Sequence, residues 1–169
     1  MAKIELEAYY PYAVEHVWEA LVRPEALEQW LMKNEGFAPV PGRKFLFKAK
    51  PVMGWKGTAY CEILDAEKPR LLRWSQRGEE GAPDPFIITW TLRPEGPGTR
   101  LTLEHDGLHG LRGFLLARFM GAGWKRMFDQ RIPTVLEYAR RHGWASFPRD
   151  RRLVPADCDA PSPVQGAAR

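Results

Sequence analysis

The stretch 88-ITWTLRPEGPGTRLTLEHDGL-108 decides the fold. Ile88, Trp90 and Leu92 alternate with Thr89, Thr91 and Arg93, and Leu101, Leu103 and His105 alternate with Thr102, Glu104 and Asp106. A period of two is that of a strand with one buried face, and Glu95-Gly96-Pro97-Gly98 supplies a tight turn between the two runs. The reading is a hairpin of strands over 85–93 and 99–106. Upstream, 71–77, 54–65 and 44–50 alternate in the same way. They turn Leu72 and Trp74, then Ala59, Cys61 and Ile63, then Phe45 and Phe47, towards one face. At the start of the chain Ile4, Leu6, Ala8 and Tyr10 alternate with Lys3, Glu5, Glu7 and Tyr9 as a first strand that Pro11 breaks. Val14, Val17, Trp18 and Leu21 then recur at helical spacing, and Pro24 restarts the chain into a second short helix carrying Leu27, Trp30 and Leu31.

Downstream of the hairpin the period changes to that of a long helix over 112–142. Ala117, Gly121, Trp124, Phe128, Ile132, Val135 and Ala139 fall on one face. Pro133 lacks an N–H and meets the carbonyl of Asp129, so a kink or break is expected there. Gly121-Ala122-Gly123 does not form the phosphate-cradling pattern of a dinucleotide site and reads instead as a close approach of helix to sheet. Beyond Phe147 no aromatic residue occurs, so residues 1–147 are read as one domain and 148–169 as an irregular Pro/Ala-rich tail.

Composition narrows the function classes. The chain has 169 residues, 44% hydrophobic and 27% charged, which suits one globular core. No apolar run approaches the ~18 residues that cross a bilayer, so integral membrane association is not expected. The acidic start, Lys3-Ile4-Glu5-Leu6-Glu7, lacks the apolar centre of a secretory signal, which points to the cytoplasm. Charge is uneven: residues 111–152 carry ten Lys and Arg against three Asp and Glu. That excess reads as a solvated Arg-rich helix face, and no nucleic-acid partner is expected.

Chemistry-bearing groups are few. Ser75, Ser146 and Ser162 stand outside any nucleophile motif, and Cys61 reads as a packed thiol, so no catalytic residue is assigned. His105 and His109 have a zinc-like spacing but straddle a strand end and a glycine loop, and Cys61 and Cys158 form no ligand pair; no metal and no cofactor are expected. His105 is read as a core-edge imidazole bonded to a neighbour, or as a polar anchor on a cavity wall.

The order of strand, two short helices, antiparallel strands and one long C-terminal helix is that of the α+β helix-grip (START-like) fold, a curved antiparallel sheet of about six strands around the helix. The segments YPYAVEHVWEAL and PEALEQWL (10–31), GTAYCEIL (57–64), LLRW (71–74), Ile88–Leu108 and GAGWKRMF (121–128) resemble the SRPBCC superfamily. Within it they resemble the family named for the C-terminal domain of the activator of the heat-shock-protein-90 ATPase, over about residues 3–142. The resemblance implies a cavity between sheet and long helix, lined by apolar and aromatic side chains. Combined with strand parity, it makes Trp30, Phe47, Ala59, Cys61, Ile63 and Trp74 one half of the expected wall. Ile88, Trp90, Leu103, His105, Trp124 and Phe128 form the other. The expected function is binding of a small hydrophobic or amphipathic molecule there. A cyclase-like enzyme using a polar wall residue such as His105, with Tyr60, Arg73 and Gln76 as further polar candidates, is the alternative. A co-chaperone or protein-interaction module is the third; a homodimer and a chaperone partner both stay open.

Overall fold

A computed structural model describes residues 2–52, 54–149 and 152–153. Strand β1 spans Ala2–Tyr10 and is followed by α1 (Val14–Val22) and α2 (Pro24–Trp30). Six further strands come next: β2 (Lys33–Glu35), β3 (Lys44–Lys48), β4 (Thr58–Glu67), β5 (Leu71–Arg77), β6 (Phe86–Glu95) and β7 (Gly98–Leu108). The sheet order is β1-β7-β6-β5-β4-β3-β2, and each neighbouring pair is antiparallel. The α1–α2 pair thus carries the chain from one edge of the curved sheet to the other, and the meander walks back until β7 pairs with β1.

Seven strands form where the alternation suggested about six. The additional one, β2, is three residues long, Lys33-Asn34-Glu35, and has no apolar alternation to announce it; it is held by backbone pairing to β3. The fourth strand starts at Thr58 and not at Gly54, because Val52 and Trp55 bridge each other in a turn. Gly57 then adopts φ +88°, with its Cα so close to Ala49 that an added Cβ would stand 2.3 Å from that residue's carbonyl oxygen. Only glycine serves there.

The long C-terminal helix is divided. Helix α3 (Gly110–Arg126) runs into a π-helical turn over Met127–Arg131, and α4 (Ile132–His142) follows. The expected break at Pro133 therefore lies a turn upstream of the proline. Ile132 N–H donates to the carbonyl of Met127, five residues back, so the register has already changed when Pro133 enters as one of the first residues of α4. Tyr10 at the end of β1 donates its hydroxyl to the Phe128 carbonyl in this turn at 2.8 Å, a buried bond that ties the wide turn to the sheet.

Helix α3 lies along β1 and β7, while α4 packs on α1 and α2. His16 Nε2 lies 2.9 Å from the Leu136 carbonyl, and the Tyr12 hydroxyl donates to Glu137 Oε2 at 2.9 Å, fastening α1 to α4. Close approach of helix to sheet occurs at Gly113, where a Cβ would stand 2.6 Å from the Leu108 backbone. It does not occur at Gly121 or Gly123, where a Cβ would meet nothing within 4 Å. This corrects the expectation drawn from the Gly121-Ala122-Gly123 run. Of the tail, Cys158 and the rest of 154–169 lie outside the described residues; Leu153 N–H donates to Gln29 Oε1 at 2.9 Å.

Candidate functional site

The site is built on the β6–β7 hairpin. Its register sets Ile88 beside His105 and Trp90 beside Leu103, so all four project to the concave side. From the opposite side the last turn of α3 brings Trp124, and the π turn brings Phe128. Trp90 is the hub. Its ring meets Trp30 at 5.5 Å, Trp124 at 5.6 Å and Trp74 at 6.1 Å between centroids, and stacks on Phe128 at 5.8 Å and 14°. Trp74 carries the contacts on to Phe45 and Phe47, and the inward residues of β4, Ala59, Cys61 and Ile63, close the floor. Such edge-to-face and offset pairs contribute ~0.5–1.5 kcal/mol each beyond area burial.

Polar atoms of His105, Trp124 and Trp90 interrupt this apolar interior. Trp124 Nε1–H donates to His105 Nδ1 at 3.0 Å, so Nδ1 is unprotonated. The neutral ring therefore carries its proton on Nε2, which is buried and has no partner among the described residues. Burial lowers the imidazole pKa to about 4, so His105 is neutral at pH 7. Trp90 Nε1–H is likewise buried without a partner among the described residues. A buried donor left unmade costs about 1–3 kcal/mol. Both donors thus lie in the interior with no acceptor among the described residues.

All twelve residues expected on the cavity wall, Trp30, Phe47, Ala59, Cys61, Ile63, Trp74, Ile88, Trp90, Leu103, His105, Trp124 and Phe128, are buried. Their aromatic members touch one another. Two surface concavities lie elsewhere. One, of about 800 Å³, runs between β1 and α3, with Ile4, Phe114, Ala117 and Gly121 beside Lys3, Glu5 and Arg118. The other, of about 320 Å³, lies between the start of β4 and the loop after β5 and includes Tyr60. None of the twelve lines either one.

The remaining polar candidates separate. Arg73 is exposed and paired with Asp65 at 2.7 Å. Gln76 shares the parity of Trp74 and accepts a long hydrogen bond, 3.5 Å, from Trp74 Nε1. Sequence reasoning singled out only His105 on the apolar face, although the spacing 72, 74, 76 already placed Gln76 there. Cys61 is buried with its Sγ 3.8 Å from the Ala59 carbonyl, and burial raises its pKa, which keeps the thiol protonated and unreactive. No group of three or more metal-ligating side chains occurs among the described residues, and no described helix is long and apolar enough to cross a membrane.

Comparison with known proteins places this geometry. Residues 11–137 match the family model described as Activator of Hsp90 ATPase homolog 1-like protein. No curated protein matches the chain. Among solved structures, protein MLL2253 from Mesorhizobium loti is similar at 26% identity and TM-score 0.69, over 81% of this chain and 98% of that one. DynU16, from the dynemicin biosynthetic locus, is similar at 23% identity and TM-score 0.64, over 80% of this chain and 47% of its own. The Aha1 dimer from Colwellia psychrerythraea is similar at 17% identity and TM-score 0.63, over 75% and 90%. The shared architecture is one in which a curved sheet and a long helix can enclose a binding cavity.

Proposed function

Since the chain belongs to the Activator of Hsp90 ATPase homolog 1-like family, within the SRPBCC superfamily, we propose that it binds a small apolar or amphipathic molecule between sheet and C-terminal helix, in the cytoplasm. The observation that carries this reading is the pair of buried donors, Trp90 Nε1–H and His105 Nε2–H, set in an aromatic interior. An apolar body would exchange ring contacts with Trp74, Trp90 and Phe128, and an acceptor group on it would satisfy the donors. Helix α3 supports an opening route. Between its two buried residues, Gly113 and Trp124, α3 meets the core through the partly buried Ala117 and Met120, so this stretch is the part whose separation from β1 would disrupt least packing. The 800 Å³ concavity lies along the seam where the two would part.

The test is titration of the purified protein with an environment-sensitive hydrophobic dye and a panel of long-chain fatty acids, with tryptophan fluorescence as the readout. Saturable binding in the micromolar range is expected. Ala59, fully buried opposite Phe47, is the site for a blocking variant. Ala59→Phe is expected to abolish binding while costing less than the about 1–3 kcal/mol that the same ring costs in an interior already full. Native protein that binds no member of the panel, with a severe loss of stability in Ala59→Phe, would mean that the interior is a closed core. An interaction module would then be the better reading.

We also propose residues 1–147 as the folding unit. A single hydrogen bond such as Leu153 N–H to Gln29 contributes about 0.5–1.5 kcal/mol. Deleting 148–169 is therefore expected to lower the thermal midpoint by less than about 5 °C. A larger fall in a melting curve would make that segment part of the domain.

A further inference from the structure

The first half of α3 carries four of the six large hydrophobic side chains that stand exposed among the described residues: Leu111 is 77% exposed, Phe114 and Leu115 61% and Leu116 36%. At about 100° per residue, Leu115 points about 180° away from Trp124, the side chain that anchors α3 to the interior. Leu111 lies within about 40° of Leu115, one turn earlier, and Arg112 and Arg118 sit about 60° to either side of it. The outward face is thus a ridge of leucine with an arginine on each flank. Neither arginine makes an ion pair among the described residues. Gly113 seats the start of the helix directly on the end of β7, which holds the ridge in this orientation.

We propose that this face of α3 docks on an anionic lipid surface, with Leu111 and Leu115 entering the boundary between headgroups and acyl chains, and Arg112 and Arg118 meeting lipid phosphates. The charge supports that occupant. Residues 110–126 contain Arg112, Arg118, Lys125 and Arg126 and no Asp or Glu. Long arginine stems flank apolar side chains in the manner of helices that lie in a membrane interface. A second copy fits less well, because a two-fold contact along α3 would oppose cations with cations and offer no acid to receive them. Leu111 and Leu115 themselves stand outside the concavity between β1 and α3 that Phe114 and Arg118 line, and a fluid lipid surface accepts such a ridge where a preformed partner would have to mirror it. The inference does not depend on an interior ligand.

The experiment is co-sedimentation of the full chain with large vesicles of phosphatidylcholine alone, and of phosphatidylcholine with about 30 mol% phosphatidylglycerol. Partitioning onto the anionic vesicles is expected to be at least about tenfold stronger, and to weaken when salt is raised from about 0.1 to 0.5 M. The double variant Leu111→Ser with Leu115→Ser replaces exposed side chains only, so its thermal midpoint should stay that of the native protein while partitioning drops about tenfold. Arg112→Gln with Arg118→Gln should remove the preference for anionic vesicles. Equal binding to both vesicles, or none to either, would overturn the proposal and direct attention to an acidic protein surface. So would lipid-independent dimerisation in sedimentation velocity that the leucine variant abolishes, which would give the face to a second copy.

Discussion

Replacing Trp124 by alanine is expected to lower the unfolding free energy by about 3–5 kcal/mol, the cost of truncating a buried aromatic side chain. Trp124 is buried, its ring meets Trp90 and His105, and its N–H satisfies His105 Nδ1. The deletion would therefore create a void and strand an acceptor in one step. Trp124→Phe separates the two losses, since it retains most of the volume and removes only the donor; about 1–3 kcal/mol is expected for it. Chemical denaturation of the three proteins measures both. If Trp124→Ala costs under about 1 kcal/mol, the end of α3 is not seated on the hairpin.

The second large effect is on acid stability. His105 has a folded pKa of about 4, against about 6.5 in an unfolded chain, because burial opposes the charged ring. The folded state thus binds the proton less readily than the unfolded state. The stability associated with the neutral ring is complete above about pH 6.5 and is lost as pH falls from there towards 4. The difference in pKa corresponds to about 3 kcal/mol over that window. Carboxylates titrate partly in the same range, so the comparison is made with His105→Gln, which retains an acceptor for Trp124 and cannot titrate. Denaturation at pH 7, 6, 5 and 4 should show the native protein losing about 3 kcal/mol more than the variant. Parallel pH profiles would show that the imidazole is reached by water or by a compensating group. Glu137, whose carboxyl Arg140, Arg141 and the Tyr12 hydroxyl hold well below its ordinary value of 4.5, loses stabilisation as pH falls below that value, but equally in both proteins, so it cancels in the comparison.

Alternation along the strands was enough to place nine of the twelve interior residues, because a side chain on a pleated strand has only two directions and one of them must be apolar, and helical spacing placed Trp30, Trp124 and Phe128. It could not say how far apart opposing side chains stand. Trp30, Trp74, Trp90 and Trp124 looked like more aromatic volume than a small core needs, and the structure fits them together at ring-contact distances. Parity gives direction, and separation depends on the seating of α3 and α4. The short strand β2 was invisible because Lys33-Asn34-Glu35 owes its conformation to backbone pairing with β3 and buries none of its three side chains fully. The π turn was legible only as a warning: Pro133 announced a disruption, but where the register changes depends on the Tyr10 hydroxyl reaching the Phe128 carbonyl, a contact between residues 118 positions apart. The exposed ridge on α3 escaped for a related reason. Phe114, Leu115 and Leu116 are apolar on more than one side of the helix, and only the docking of Gly113 and Trp124 determines which of them is left outside.

The tryptophan cluster has an optical consequence. Trp30, Trp74 and Trp124 each stand within 6.1 Å of Trp90 between ring centroids. At that range excitation passes among indoles much faster than any of them emits. The four behave as one coupled chromophore, with exciton bands in circular dichroism and emission drawn from whichever ring lies lowest in energy. Light absorbed at any of the four thus reports on Trp90 and its neighbours together, and a disturbance at His105 is read out by rings that never touch it.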